Sequence, residues 1–342
     1  MAVLDNNFPT IADVGKLMDG DGKVNRVIEI LTSTDSILDD IPWMPSSKMD
    51  SHVTTLRAGL PSPSKVGDYD FVKPTKGTTV QMPEQMGRLE SWCEIDERLV
   101  QRAGEVGQEL IVRENTAHML GLKDELANEL FKGNTASDPN GIDGFATRFS
   151  AKTGQPYSDN VIDNAESASP LSSIWLVGWG PMTVSGVYPK NTPSGLQVDS
   201  YGIETVEGTH DNGANAASAP GRMRAHRTRY SWNYGLSIMD WRYLVRIANV
   251  DQSPTLSTAN AQSLMDNLFM ATERLGPMGT GGGVRAAWYA SRRTITRIRQ
   301  SMSRLVSGST LQMEDVGGKK VETFLGFPLR RVDKLAIAES AI

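Results

Sequence analysis

Ser173-Ile174-Trp175-Leu176-Val177-Gly178-Trp179-Gly180-Pro181, continued by Thr183-Val184-Ser185-Gly186-Val187-Tyr188-Pro189-Lys190, is the stretch from which the rest of this chain is read. Both runs are β-branched, aliphatic and aromatic, which suits a pleated backbone with buried side chains. The Gly-Pro step between them breaks any ladder, because proline has no N–H to donate. The composition predicts one β-hairpin, closed by Pro189.

On the N-terminal side, Val24, Val27, Ile28, Leu31 and Leu38 fall near helical spacing, and Asp39-Asp40-Ile41-Pro42-Trp43 ends that pattern. An arm of this kind has too little apolar surface for a core of its own and must lie on another surface. Next, His52–Arg57 leads out, and Thr78–Met82 with Arg88–Trp92 leads back, around a tip holding Pro61, Pro63, Gly67, Pro74 and Gly77. A two-stranded hairpin of this length is marginal alone in water, so it needs a partner. Glu94–Phe131 reads as the longest helix, with Ile95, Leu99, Ala103, Val106, Leu110, Ala117, Leu120, Leu122, Leu126 and Leu130 on its apolar face and Gly133 as its stop. Gly104, Gly107 and Gly121 each cost about 1 kcal/mol inside a helix, which predicts bending or a close contact there.

Beyond a turn-rich loop, Gly133–Phe145, and the opening hairpin, Tyr201–Pro220 reads as a polar insertion and Arg224–Val250 as a pair of long strands. Tyr230, Trp232, Tyr234, Leu236 and Ile238 alternate and should line one face. Leu256–Leu275 and Ser291–Leu305 read as helices flanking a Gly-rich loop and the short strand Ala286–Ala290, and a last hairpin runs from Leu311 through Gly317-Gly318 to Val332.

Composition narrows the function classes. A chain of 342 residues with 39% apolar content can bury a core, and its 32 glycines and 17 prolines, spread along the sequence, predict many turns. A net charge of −5 argues against a dedicated nucleic-acid reader, which needs a basic footprint. Cys93 is the single cysteine, so neither an internal disulfide nor a cysteine zinc site is expected. No apolar run is long enough to span a bilayer and Met1–Pro9 lacks the features of a signal peptide, so neither export by that route nor membrane insertion is expected.

Motifs that would carry chemistry fail on inspection. Gly279-Thr280-Gly281-Gly282-Gly283 lacks the Gly-Lys-Ser/Thr ending of a phosphate loop and the β-α-β setting of a dinucleotide site, and reads as a plain turn. Asp19-Gly20-Asp21 has the look of a calcium loop, but its first and twelfth positions fall on Leu17 and Ile28, which cannot coordinate the ion. His52, His118, His210 and His226 are scattered without ligand spacing, and Cys93 reads as a structural thiol. Arg285, Arg292, Arg293, Arg297, Arg299 and Arg304 form the one cationic run; a solvated or ion-paired helix face is favoured over a surface that tolerates DNA. Catalytic, cofactor-binding and metal sites are therefore all expected to be absent.

The opening stretch, together with Asp240-Trp241-Arg242-Tyr243-Leu244-Val245-Arg246-Ile247-Ala248-Asn249 and Phe324-Leu325-Gly326-Phe327-Pro328-Leu329-Arg330-Arg331-Val332-Asp333, resembles the major capsid proteins of tailed bacteriophages, in the order seen in a podovirus-like lineage. The resemblance implies an α+β chain with the Hong Kong 97-like fold: an N-terminal arm at 1–48, an E-loop hairpin at 49–93, a spine helix at 94–132, and a loop, hairpin and insertion at 133–223. Long P-domain strands would follow at 224–250, and A-domain helices, a strand and a C-terminal hairpin at 251–342. Because the long strands precede the Gly-x-Pro strand here, a rearranged connectivity is implied. The implied function is mechanical: pentamers and hexamers closing into an icosahedral shell around double-stranded DNA, built in the host cytoplasm, with scaffolding, cement and portal proteins as further partners and only non-specific contact with the genome. An encapsulin-like compartment or another oligomeric virion component is the alternative. Trp43, Leu56, Phe71 and Trp92 are the expected intersubunit anchors. Lys65, Lys73 and Lys76 sit in the hairpin tip, where some coats of this fold form isopeptide links; no crosslink is expected here.

Overall fold

The computed structural model describes residues 37–49, 51–165, 170–210, 219–253, 257–277, 283–304, 311–316, 319–335 and 339–342. The expected helix from Val24, apart from its last residues, and the Asp19–Lys23 turn lie outside them, as do residues 279–282 and the Gly317-Gly318 turn. The chain divides into two compact units, one holding Arg88–Leu126 and Gly195–Asn233, the other Ser33–Gly87, Ala127–Ser194 and Tyr234–Ile342.

In the second unit the opening stretch becomes strand β5 (Leu171–Trp179), every residue of which is buried. It is hydrogen-bonded on both edges, antiparallel to β10 (Arg285–Ala290) on one side and to β9 (Leu244–Asp251) on the other. Strands β11 (Leu311–Val316), β12 (Lys319–Phe324) and β13 (Phe327–Arg331) extend the sheet beyond β10, and β4 (Val161–Asp163) extends it beyond β9. A strand covered on two faces has no need of polar alternation, which explains the unbroken apolar run. Ile174 and Leu176 pack with Leu264, Leu268, Ile295 and Ile298 of helices α5 (Thr258–Arg274) and α6 (Arg292–Arg304). Trp175 and Trp179, pointing the other way, meet an aromatic layer in which Phe145 lies 5.7 Å from Trp175 and 6.1 Å from Trp179, and Phe131 lies 5.5 Å from Phe145.

The expected hairpin is not formed. Strand β6 (Val184–Tyr188) touches β5 at one position, Trp179 with Val184, in parallel sense, and instead pairs antiparallel with β8 (Ala219–Ile238) and parallel with β1 (Trp43–Pro45). Both edges of β5 are already filled by β9 and β10, so the chain passes Pro181 and joins different neighbours. Gly186 makes one of these pairings possible: a Cβ there would lie 2.6 Å from the Trp43 ring and 2.8 Å from Ile41.

The segment that leads into β1 is pinned beneath the sheet. A single helical turn, α1 (Ile37–Asp40), buries Ile37 completely and directs Asp40 to Tyr289 Oη (2.8 Å) and to the Arg330 guanidinium (3.0 and 3.1 Å). Burial and the neighbouring Asp40 carboxylate raise the Tyr289 phenol well above its ordinary pKa. On the same face, across β5, Arg246 is buried against the Trp175 ring and donates to Ser173 Oγ, Phe149 O and Glu339. Burial lowers its pKa while Glu339 opposes that change.

The first unit is built on the hairpin β7 (Leu196–His210) with β8, and on helix α2 (Glu97–Ala103) followed by α3 (Glu105–Lys132). The long helix expected from Glu94 therefore begins three residues later and is interrupted at Gly104, whose φ of +59° disfavours any residue with a side chain. Asp96 caps α2 through its side chain, accepting from Arg98 N at 2.8 Å. The stop at Gly133 is as expected; its N–H donates to Glu129 O and the chain folds back so tightly that a Cβ would lie 2.3 Å from Ile142 O. The first half of the expected polar insertion, residues 201–210, belongs to strand β7, which is cross-linked to β8 by Asp199–Arg229 (2.7 Å), Glu204–Arg227 (3.5 Å) and Glu207–Arg222 (2.6 Å). Its polarity hid it, because a two-stranded ribbon held by charge pairs lacks an apolar stripe. Nor do the two strands in Arg224–Val250 pair with each other: β8 joins β7 and β6, and β9 joins β5 and β4. Leu89, Cys93, Ile95, Leu99, Leu110, Leu122 and Tyr230 form the core of this unit.

Candidate assembly surfaces

Strands β2 (Ser51–Gly59) and β3 (Thr78–Asp96) run antiparallel from Ser51 opposite Gln85 to Gly59 opposite Thr78. At the root of this hairpin His52 and Thr54 are buried, with Glu84 facing His52 across the pair. Glu84 is held by Arg148 at both oxygens, 2.8 and 2.5 Å, and Arg148 also donates to Asp143 O and Leu236 O. Such a pair with its remaining hydrogen bonds met is a fixed point from which a projecting element can be aimed. Glu84 and Arg148 carry no sequence signal that would join them across 64 positions.

Away from the root, burial disappears. Leu60 is 77% exposed, and Tyr69 and Phe71 are as exposed as free side chains, at 102% each. Large aromatic groups on a Pro/Gly-rich loop are a signal for contact with another molecule, since their burial is worth several kcal/mol per ring at about 25 cal/mol/Å². Lys65, Lys73 and Lys76 are exposed on the same loop.

Each of the four expected anchors has a different environment. Phe71 is free of its own chain, and Leu56 is half-buried in the hairpin. Trp43 lies over Gly186 of the same chain. Trp92 is 37% exposed, stacked on Tyr201 at 5.8 Å, beneath the Arg227 guanidinium at 4.4 Å and donating to Glu90 at 2.8 Å. Tyr69 and Leu60 belong with Phe71 and were not singled out from sequence.

In the first unit, β3 and α3 flank an open, mostly apolar groove of about 400 Å³, lined by Leu89, Ala117, Gly121 and Leu122 together with Glu90 and Glu125. His118 lines it and makes a 2.6 Å hydrogen bond with Ser91 while stacking on Tyr230. Cys93 lies buried nearby; burial first, then Glu114 and Glu94, push its thiol pKa up to about 11.

The cationic run is divided. Arg297 is buried with Asp251 at 3.7 Å, Arg299 pairs with Glu322 at 2.6 Å, and Arg285, Arg292 and Arg293 are exposed. Among the described residues no group of acidic, histidine or cysteine side chains is placed to hold a metal ion, and no helix is long and apolar enough to cross a membrane.

The model for the family described as major capsid protein GP7 matches residues 19–342. Among solved structures, that of bacteriophage Epsilon15 is similar, with a TM-score of 0.73 and 26% identity over 100% of this chain and 99% of that one. The capsid of bacteriophage JBD30 gives a TM-score of 0.46 at 12% identity, covering 90% of this chain and 93% of that one. The encapsulin of Synechococcus elongatus gives 0.43 at 11% identity, covering 75% and 99%. No curated protein matches. The fold is the Hong Kong 97-like α+β fold of phage capsid proteins, as the resemblance implied. With the match running through all the elements described above, this chain belongs to the GP7 family of major capsid proteins.

Proposed function

We propose that copies of this major capsid protein assemble as pentamers and hexamers, which close into the icosahedral shell of a tailed phage around double-stranded DNA, and that assembly takes place in the host cytoplasm. The work is mechanical, with no catalytic step. Residues 49–93 would act as the E-loop, 94–132 as the spine and 1–48 as the arm, and the parts from 133 onward as the peripheral and axial regions. The carrying observation is the hairpin tip, whose Leu60, Tyr69 and Phe71 find no cover in their own chain. An obligate contact set built on such arms should bury more than about 2,000 Å². Of the expected anchors, Phe71 is the one left free for this purpose, while Trp43 and Trp92 already have partners within the chain. Scaffolding, cement and portal proteins would be further partners, and contact with the packaged genome would be non-specific.

Electron microscopy of the purified chain, with scaffolding protein supplied, tests this reading. Rings or closed shells are expected; a monodisperse monomer at high concentration overturns it.

A further inference from the structure

We infer that strands β5 and β9 form a binding site for a short acidic peptide, filled in this structure by residues 339–342 of the same chain, and that this segment comes off while the sheet stays closed. The site lies apart from the hairpin and does not rest on the shell reading.

The receptor is fixed by its own strands. Between the pairs Ser172–Val250 and Ile174–Ile247 of the β5–β9 ladder, Ser173 stands opposite Ala248 and Asn249 together, so β9 carries a bulge. Asn249 has a φ of +58° there, and Asp163 orients its amide by accepting from Nδ2 at 2.6 Å. Arg246 is held as firmly: its guanidinium lies 5.0 Å from the centre of the Trp175 ring and donates to Ser173 Oγ at 3.0 Å and to Phe149 O at 2.8 Å. With 5% of the side chain exposed, its charge calls for an anion.

The segment supplies what such a site reads. Glu339 accepts from Arg246 at 2.9 Å and from Ser173 Oγ, and its N–H donates to Leu171 O at 2.8 Å. Further on, the Asn249 amide grips the backbone of Ile342, accepting from its N–H at 3.1 Å and donating to its carbonyl at 3.3 Å. Main-chain hydrogen bonds give hold and the buried carboxylate gives selectivity, as in other captured extended peptides. Yet the segment stays superficial. It meets β5 through a single bridge, Leu171 with Glu339, and Ser340 and Ala341 are exposed, whereas Ser173, Arg246 and Asn249 are buried in strands that β4 and β10 also hold. Detachment breaks the segment's hydrogen bonds and leaves those of the sheet intact.

Capture of the same peptide from solution is the test. Glu339→Ala is made in the full chain to loosen its own segment, and the probe is fluorescein-labelled Glu-Ser-Ala-Ile with an amidated end. Anisotropy should show binding at least about ten-fold tighter than to the unsubstituted chain, where the tethered segment competes at an effective concentration of the order of millimolar. A probe with glutamine in place of glutamate, or Arg246→Met added to Glu339→Ala, should lose that gain. In the unsubstituted chain, the amides of Glu339 and Ile342 should exchange hydrogen at least about ten-fold faster than those of Ile174 and Ile247 in the ladder. A folded Glu339→Ala chain that takes up no probe, or takes up the glutamine probe equally, overturns the site. Equal protection of segment and ladder overturns the detachment, and decides alone should Glu339→Ala not fold.

Discussion

Arg148 holds Glu84 by two hydrogen bonds of 2.8 and 2.5 Å at the base of the β2–β3 hairpin, and both side chains are largely withdrawn from water. Removing one partner leaves an uncompensated charge in a place that cannot hydrate it. Arg148→Ala should therefore destabilise the unassembled chain by about 3–5 kcal/mol, whereas replacing both with apolar residues, Glu84→Leu with Arg148→Met, should recover most of that loss. Urea unfolding of the two variants beside the parent checks the order; equal destabilisation would refute it.

Gly186→Val tests the strap that precedes the hairpin. The added side chain would collide with Trp43 and Ile41, so β1 should leave β6 at a cost of about 1–3 kcal/mol. Faster proteolytic cutting between residues 40 and 48, with a red shift of the Trp43 emission, is the expected result.

Three glycines that look alike in sequence should respond in different ways to alanine. Gly121 lies within α3 with open space around it, so Gly121→Ala should stabilise by about 1 kcal/mol. At Gly104 φ is +59°, and alanine should destabilise by about 1–2 kcal/mol despite its helix propensity. Gly107→Ala should also destabilise, since the Cβ would lie 2.4 Å from Val100 O. Thermal melts of the three single variants decide the matter.

Cys93 gives a pH signature in alkali. Its folded thiol pKa is raised to about 11 from 9.0, chiefly by burial, so the folded state keeps its proton longer than the unfolded one. The stability this confers is fully present below pH 9 and is lost as pH rises towards 11. Cys93→Ala should flatten the decline across that window, as read from denaturant midpoints at successive pH values.

How far the sequence could be read follows from what each segment buries. Helices α5 and α6 and strand β10 were legible because each sets an apolar pattern against one sheet, and the β2–β3 hairpin because its tip is marked by prolines and glycines. β5 was recognised as a strand, but its pairing was not: full burial removes the alternation that would show which edges are occupied, and the partners β9 and β10 lie far along the chain. Strand β7 escaped because charge pairs, not apolar contacts, bind it to β8. In the candidate site, Phe71 was visible as an aromatic on a breaker-rich loop. The groove was not, since Leu89 read as part of a strand, Ala117 and Leu122 as positions on the apolar face of a helix, and Gly121 as a bend or close contact, whereas the space around it is open.

The ladder of ion pairs along β7 and β8 makes that ribbon responsive to ionic strength. Asp199–Arg229 is partly sheltered, while Glu207–Arg222 stands almost fully in solvent, with side chains 69% and 74% exposed. Added salt screens solvent-facing charges well before sheltered ones. The zipper should therefore loosen from its outer rungs inward, so that the electrolyte around an assembling particle sets how much of the ribbon stays closed.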